Sequence, residues 1–117
     1  MVNEALRLEF VGVFSRVAPL TRYDDITRAL RNLAPRIPRH DLKAVIDHAL
    51  HSRGLKSANA ETAAWLSLVA YVRHVYTDYE TLLAGGYERD AVRFFVVGEI
   101  NRVLASWGVC RAVSSEE

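Results

Sequence analysis

One cysteine, Cys110, among 117 residues excludes an intrachain disulfide and a multi-cysteine zinc site, and a reducing compartment is the natural expectation. Long apolar runs are also missing. Apolar and charged residues interleave, no stretch reaches the ~18 residues that would span a bilayer, and the first residues lack a basic region leading into an apolar one with a cleavage site. Membrane insertion and secretion are therefore not expected, and a cytoplasmic location is. Gly-x-Ser-x-Gly is absent, and Cys110 has no histidine near it in sequence, so nothing points to a nucleophile. A phosphate loop is missing as well, because Gly85-Gly86 runs into Tyr87-Glu88. No window holds the five or six consecutive like charges of a nucleic-acid tail.

What remains is the composition of one ordinary globular domain: 50% hydrophobic, 25% charged and 9% aromatic, with a net charge of +1. A chain of this length buries roughly two-thirds of its unfolded surface, enough for a core without metal or disulfide support. Charge is lopsided all the same. Residues 1–57 carry +4 and residues 58–117 carry −3, and thirteen of the fifteen cations are arginine. That preference suits bidentate recognition of phosphate or carboxylate, although codon usage also produces it.

Helical spacing dominates from Thr21 onward. Tyr23, Ile26, Leu30 and Leu33 recur every three or four residues behind Thr21 as N-cap, and Pro35 and Pro38 end that helix in a stiff extended connector. A second helix is expected from Asp41 as N-cap, with Leu42, Val45, Ile46, Ala49 and Leu50 inward and Gly54 past its end. A third runs from Glu61 to Tyr76 with Trp65, Leu68, Val69, Val72 and Tyr76 buried. Thr77-Asp78-Tyr79-Glu80 has the form of a capping box, and the short helix behind it should stop at Gly85-Gly86. The last helix is expected over Glu88 to Trp107, with Gly108 as its stop. Its start, Ala91 to Val97, is apolar nearly all round, which suggests a central position. Asn3 to Val17 reads as helix through Leu6, Phe10, Val13 and Val17, and Ser114 to Glu117 as a frayed tail. The expected architecture is all-α, a single domain with an extra segment at residues 1–20. It is a compact orthogonal bundle of about five or six helices packed around the one carrying Phe94 and Phe95.

Functional side chains are densest at the break before the fourth helix. Arg73, His74, Thr77 and Tyr79 collect there, and Arg89 and Arg93, one turn apart, could reach Asp78, Glu80 or a bound anion across the glycine turn. The structural alternative is an arginine–carboxylate lock, with His74 as a cation near a helix C-terminus. Asp47, His48 and His51 have spacing able to grip a metal, but solvated side chains explain them as well, and neither metal nor cofactor is expected. The sharpest alternative function is nucleic-acid binding through Arg28, Arg31, Arg36, Arg39 and Lys43, against which Asp24 and Asp25 lie within a turn of Arg28.

Three segments carry a family resemblance. They are Pro35-Arg36-Ile37-Pro38 with His40-Asp41; Glu61 to Leu66; and Tyr71 to Leu83 followed by Gly86 to Val97, with Ile100-Asn101 and Trp107. From Thr21 to about Val113 the chain resembles the bacterial branch of the family known as domain of unknown function 2293. Glu80 stands where the family pattern usually has Asp, Val92 where it has a small residue, and Gly98 where acid is usual. The resemblance implies an intracellular bacterial helical domain and draws attention to Arg73, His74, Thr77, Tyr79, Arg89 and Arg93. The expected function is a non-enzymatic binding or regulatory module that engages a protein partner or its own copy through an exposed apolar patch. An enzyme using His74 with Tyr79 or Glu80 for proton transfer is the remote alternative.

Overall fold

The first described helix is set by a reciprocal cap. The Thr21 hydroxyl accepts from the Asp24 amide at 3.1 Å, and the Asp24 carboxylate accepts from the Thr21 amide at 3.4 Å. In this computed structural model, which describes residues 21–117, five helices follow. The helix read over Asn3 to Val17 lies outside the described residues.

Helix α1 (Arg22–Leu33) turns Ile26, Ala29 and Leu30 inward. Tyr23 shares that face but is 52% exposed, because it stands one turn earlier, at the helix end, and only borders a cleft with Ile46 and Leu50. The proline connector is not extended. Ala34 is fully buried, the Ile37 amide bonds back to the Ala34 carbonyl at 3.1 Å, and the Arg36 amide donates to Trp107 at 2.9 Å, so the segment is a turn clipped to the far end of the chain. Gly108 (φ +87°) permits that approach, since a Cβ there would stand 3.1 Å from Pro35.

Helix α2 (Arg39–His51) begins two residues before the expected cap. Pro38, at φ −62° and ψ 150°, already holds the extended backbone of an N-cap residue, so Asp41 falls inside the first turn and is drawn into the core. Leu42, Val45, Ile46 and Ala49 are buried as expected. Gly54 sits in a short 3₁₀ turn (Arg53–Leu55), which Arg22 fastens to α1 by donating to the carbonyls of Leu55 and Ala58 at 2.8 and 2.9 Å.

Helix α3 (Ala60–Tyr76) is capped by Asn59, whose Oδ1 accepts from the Thr62 amide at 2.8 Å. It is the axis of the bundle, packing against α1, α2 and α5. Trp65, Leu68, Val69 and Val72 are buried, together with Ala63, Ala64, Ser67 and Arg73. Tyr76, at its last turn, is 39% exposed. The capping box expected at Thr77 does not form. The Thr77 hydroxyl donates back to the Arg73 carbonyl and accepts from the Tyr79 amide, Glu80 is drawn to His74, and Asp78 becomes the N-cap of α4 (Tyr79–Ala84). Gly86, at φ +96°, supplies the stop.

Helix α5 (Arg89–Ser106) takes in the Phe-Val segment as expected, but not in a central position. Val92, Val96, Ile100 and Leu104 form a four-residue-spaced stripe that is almost fully buried, while Phe94 and Phe95 are 67% and 56% exposed. A helix apolar all round can bury only the side its neighbours cover, and α5 is a flank of the bundle with α3 and α4 on one side. After α5 the chain folds back. Val113 is buried, and Asn101 holds its backbone through bonds of 2.7 and 3.1 Å. Residues 114–117 carry Glu117 to Trp65 and Arg73 of α3.

Candidate functional site

The corner between α3 and α4 brings four expected residues together. Arg73 is buried, with its Cζ 5.6 Å from the centre of the Tyr79 ring, itself buried. The His74 ring meets Tyr79 edge-on at 5.2 Å and pairs on its outer side with Glu80. Thr77 is occupied by the backbone bonds already described. Arg93 reaches this corner from α5. Burial, and next the charge of Arg93, hold the Arg73 guanidinium below its ordinary pKa. The Nε atoms of Arg73 and Arg93 are both buried and have no partner among the described residues. Arg89 is exposed, and among the described residues the lock of Arg89 or Arg93 with Asp78 or Glu80 is not formed; the carboxylate of Glu80 serves His74 instead.

A second cluster was not assigned as a site from sequence. Asp41 is fully buried, and its Oδ1 accepts from the hydroxyls of Tyr71 at 2.5 Å and Tyr76 at 2.9 Å, with His40 Nε2 3.5 Å away. Oδ2 is buried and has no partner among the described residues. Burial first, then the bond to Asp41 and its charge, push both tyrosine hydroxyls above their usual range. Tyr76 also meets Trp107 edge-on at 5.5 Å. His40, Asp41, Tyr71, Tyr76 and Trp107 all stand among the residues that carry the family resemblance, and that convergence was the available signal. The arrangement ties the start of α2, the end of α3 and the end of α5 together.

The outer face of α5 is the third feature. Asp90, Phe94, Gly98 and Arg102, each four residues from the last, form an exposed stripe. Phe95 and the 55% exposed Tyr87 flank it, and their rings stand edge-on at 6.3 Å, as do those of Phe94 and Phe95.

The cations of the nucleic-acid alternative all reach the surface. Arg28, Arg31, Arg36, Arg39 and Lys43 are all exposed; Arg28 pairs with Asp25 at 3.6 Å, and Arg36 reaches the Ala105 carbonyl at 3.4 Å. Arg39 and Lys43 share one face of α2. Of the histidines, His48 bonds to Ser67 at 3.0 Å and His51 lies 3.2 Å from Asp47. Among the described residues no group of three ligating side chains has metal-binding geometry. A cleft of about 580 Å³ lies apart from His74 and Tyr79, lined among others by Asp25, Arg28, Asn32, Glu61, Trp65 and Arg111.

Fold and surfaces define an all-helical domain whose conspicuous features are an outward aromatic helix face and an arginine-rich corner. Among the described residues no helix is long and apolar enough to cross a membrane. The family model described as "Uncharacterized conserved protein (DUF2293)" matches residues 29–108, and the chain belongs to that family. No curated protein and no solved structure matches it.

Proposed function

We propose that this protein is a non-enzymatic binding module that engages a protein through the outer face of α5, and that a second copy of the chain is the partner this face fits. The observation that carries the reading is the stripe Asp90, Phe94, Gly98, Arg102. Leaving two phenylalanines more than half exposed forgoes about 3 kcal/mol of burial, and contiguous aromatic exposure of this kind marks interaction surfaces. The stripe is also complementary to itself. When two α5 helices cross antiparallel about a two-fold axis at the level of Val96, Phe94 of each copy lies over Gly98 of the other, and Asp90 meets Arg102. Nothing stands within 4 Å of a Cβ built on Gly98, so the position is open for a partner's ring.

Light scattering on the purified chain, with and without Phe94→Asp, tests this. The expected result is a dimer that the substitution converts to a folded monomer. A monomer throughout, with no change on substitution, overturns the reading. Salt-sensitive retention on DNA that falls when Arg36 and Arg39 become alanine would instead favour the basic first half as the functional surface.

A further inference from the structure

We propose that Arg73 and Arg93 form a binding site for an oxyanion, the phosphate or carboxylate group of a small soluble ligand, and that Glu117 is its internal occupant. The reading does not depend on α5 docking. Arg73 is only 7% exposed, and a guanidinium so buried normally has its donors satisfied. Here Nη2 donates to the main-chain oxygen of Glu117, while Nε has no partner among the described residues, and Nε of Arg93 is in the same condition. Two like charges that act on one another and keep unspent donors favour a negative charge beside them, and Arg is the side chain whose forked donors fit planar or tetrahedral oxyanions. Tyr79 backs Arg73 with its ring face.

The segment that covers Arg73 is itself acidic. Besides the main-chain oxygen on Arg73, the Glu117 side chain accepts from Trp65 Nε1 at 3.3 Å and from the Ser114 amide at 3.0 Å, and lies 3.6 Å from Arg111. The corner thus already receives oxygens of the chemistry proposed. It does so through a main-chain oxygen on Arg73, and the charge of Glu117 offsets part of that of Arg73, so an incoming anion competes with Glu117 for the site. A ligand that displaces Glu117 breaks its bond to Trp65, so tryptophan emission reports the exchange.

The test titrates the full chain with inorganic phosphate, and separately with succinate, at ionic strength held constant with chloride, and follows tryptophan emission. A saturable change in the millimolar range or below is expected, weakened about tenfold in Arg93→Gln and unchanged at the exposed Arg53→Gln. Arg73→Gln risks the fold because the side chain is buried; the half-buried Arg93 carries the test, with circular dichroism checking that the variant is folded. Saturation by phosphate alone assigns phosphate-bearing ligands, and saturation by succinate alone assigns carboxylates. No saturable response to either anion in the folded protein, or an equal response from Arg93→Gln, overturns the proposal.

Discussion

Helices α3 and α5 are nearly matched in length, 17 and 18 residues, yet α3 buries eight side chains and α5 four. Neighbours make the difference. Helix α3 is covered by α1, α2 and α5, so even Ser67 and Arg73 are enclosed; α5 is covered on one side, and its surplus apolar residues face outward. Apolar content therefore measures how much surface a helix offers for burial, and the layers around it decide how much is taken up within the chain. What is left over on α5 is the surface we assign to binding.

The contrast is broken most severely at the axis. Leu68→Ala on α3, at a fully buried position, should cost about 3 kcal/mol, read from urea unfolding; a loss below about 1 kcal/mol would mean that α3 is not the packing centre. Next comes the polar tie that holds α3 between its neighbours. Asp41→Ala strands the hydroxyls of Tyr71 and Tyr76 and should cost about 2 kcal/mol.

The same tie predicts an alkaline limit to stability. Both tyrosines have folded pKa values raised above the unfolded one, so the folded chain keeps protons that the unfolded chain gives up. Their contribution is complete below about pH 10 and is lost as the pH rises toward the folded values. Tyr71→Phe should flatten the decline in thermal midpoint above pH 10, and an unchanged slope would detach Tyr71 from Asp41.

Two adjacent residues sharpen the comparison within α5 itself. In dilute monomeric solution Val96→Ala should cost about 2 kcal/mol and Phe95→Ala less than about 0.5 kcal/mol, although phenylalanine is the larger side chain. Equal losses would show that Phe95 is covered. An effect of opposite sign is expected at Gly98. A glutamine there meets nothing within the chain, so it should raise monomer stability by up to about 1 kcal/mol through better helix propensity while weakening self-association.

Much of the fold was legible because local chemistry and tertiary packing agree. The cap at Thr21, the helical spacing through Trp65, Leu68 and Val72, and the glycine stops at Gly86 and Gly108 are short-range signals. The misreadings fall where a distant partner decides. Asp41 has the chemistry of an N-cap, but Pro38 already supplied the backbone and two tyrosines some thirty residues on claimed the carboxylate. Thr77 and Glu80 spell a capping box, yet the Arg73 carbonyl and His74 compete for them. Phe94 and Phe95 look central because periodicity locates a stripe without saying which elements flank it. Of the expected site residues, Arg73, His74, Tyr79 and Arg93 converge on one corner, since they lie on elements that meet at the glycine turn; Arg89, a turn earlier on α5, stays in solvent.

The most direct test of the assignment of α5 is the mass of the purified chain in solution, measured by light scattering over a dilution series for the unaltered protein and for Gly98→Gln. We predict twice the chain mass at the concentrated end for the unaltered protein, falling toward the single mass on dilution, and the single mass throughout for Gly98→Gln despite its higher thermal midpoint. A single mass for the unaltered protein at every concentration, or an undisturbed double mass in the glutamine variant, would contradict it.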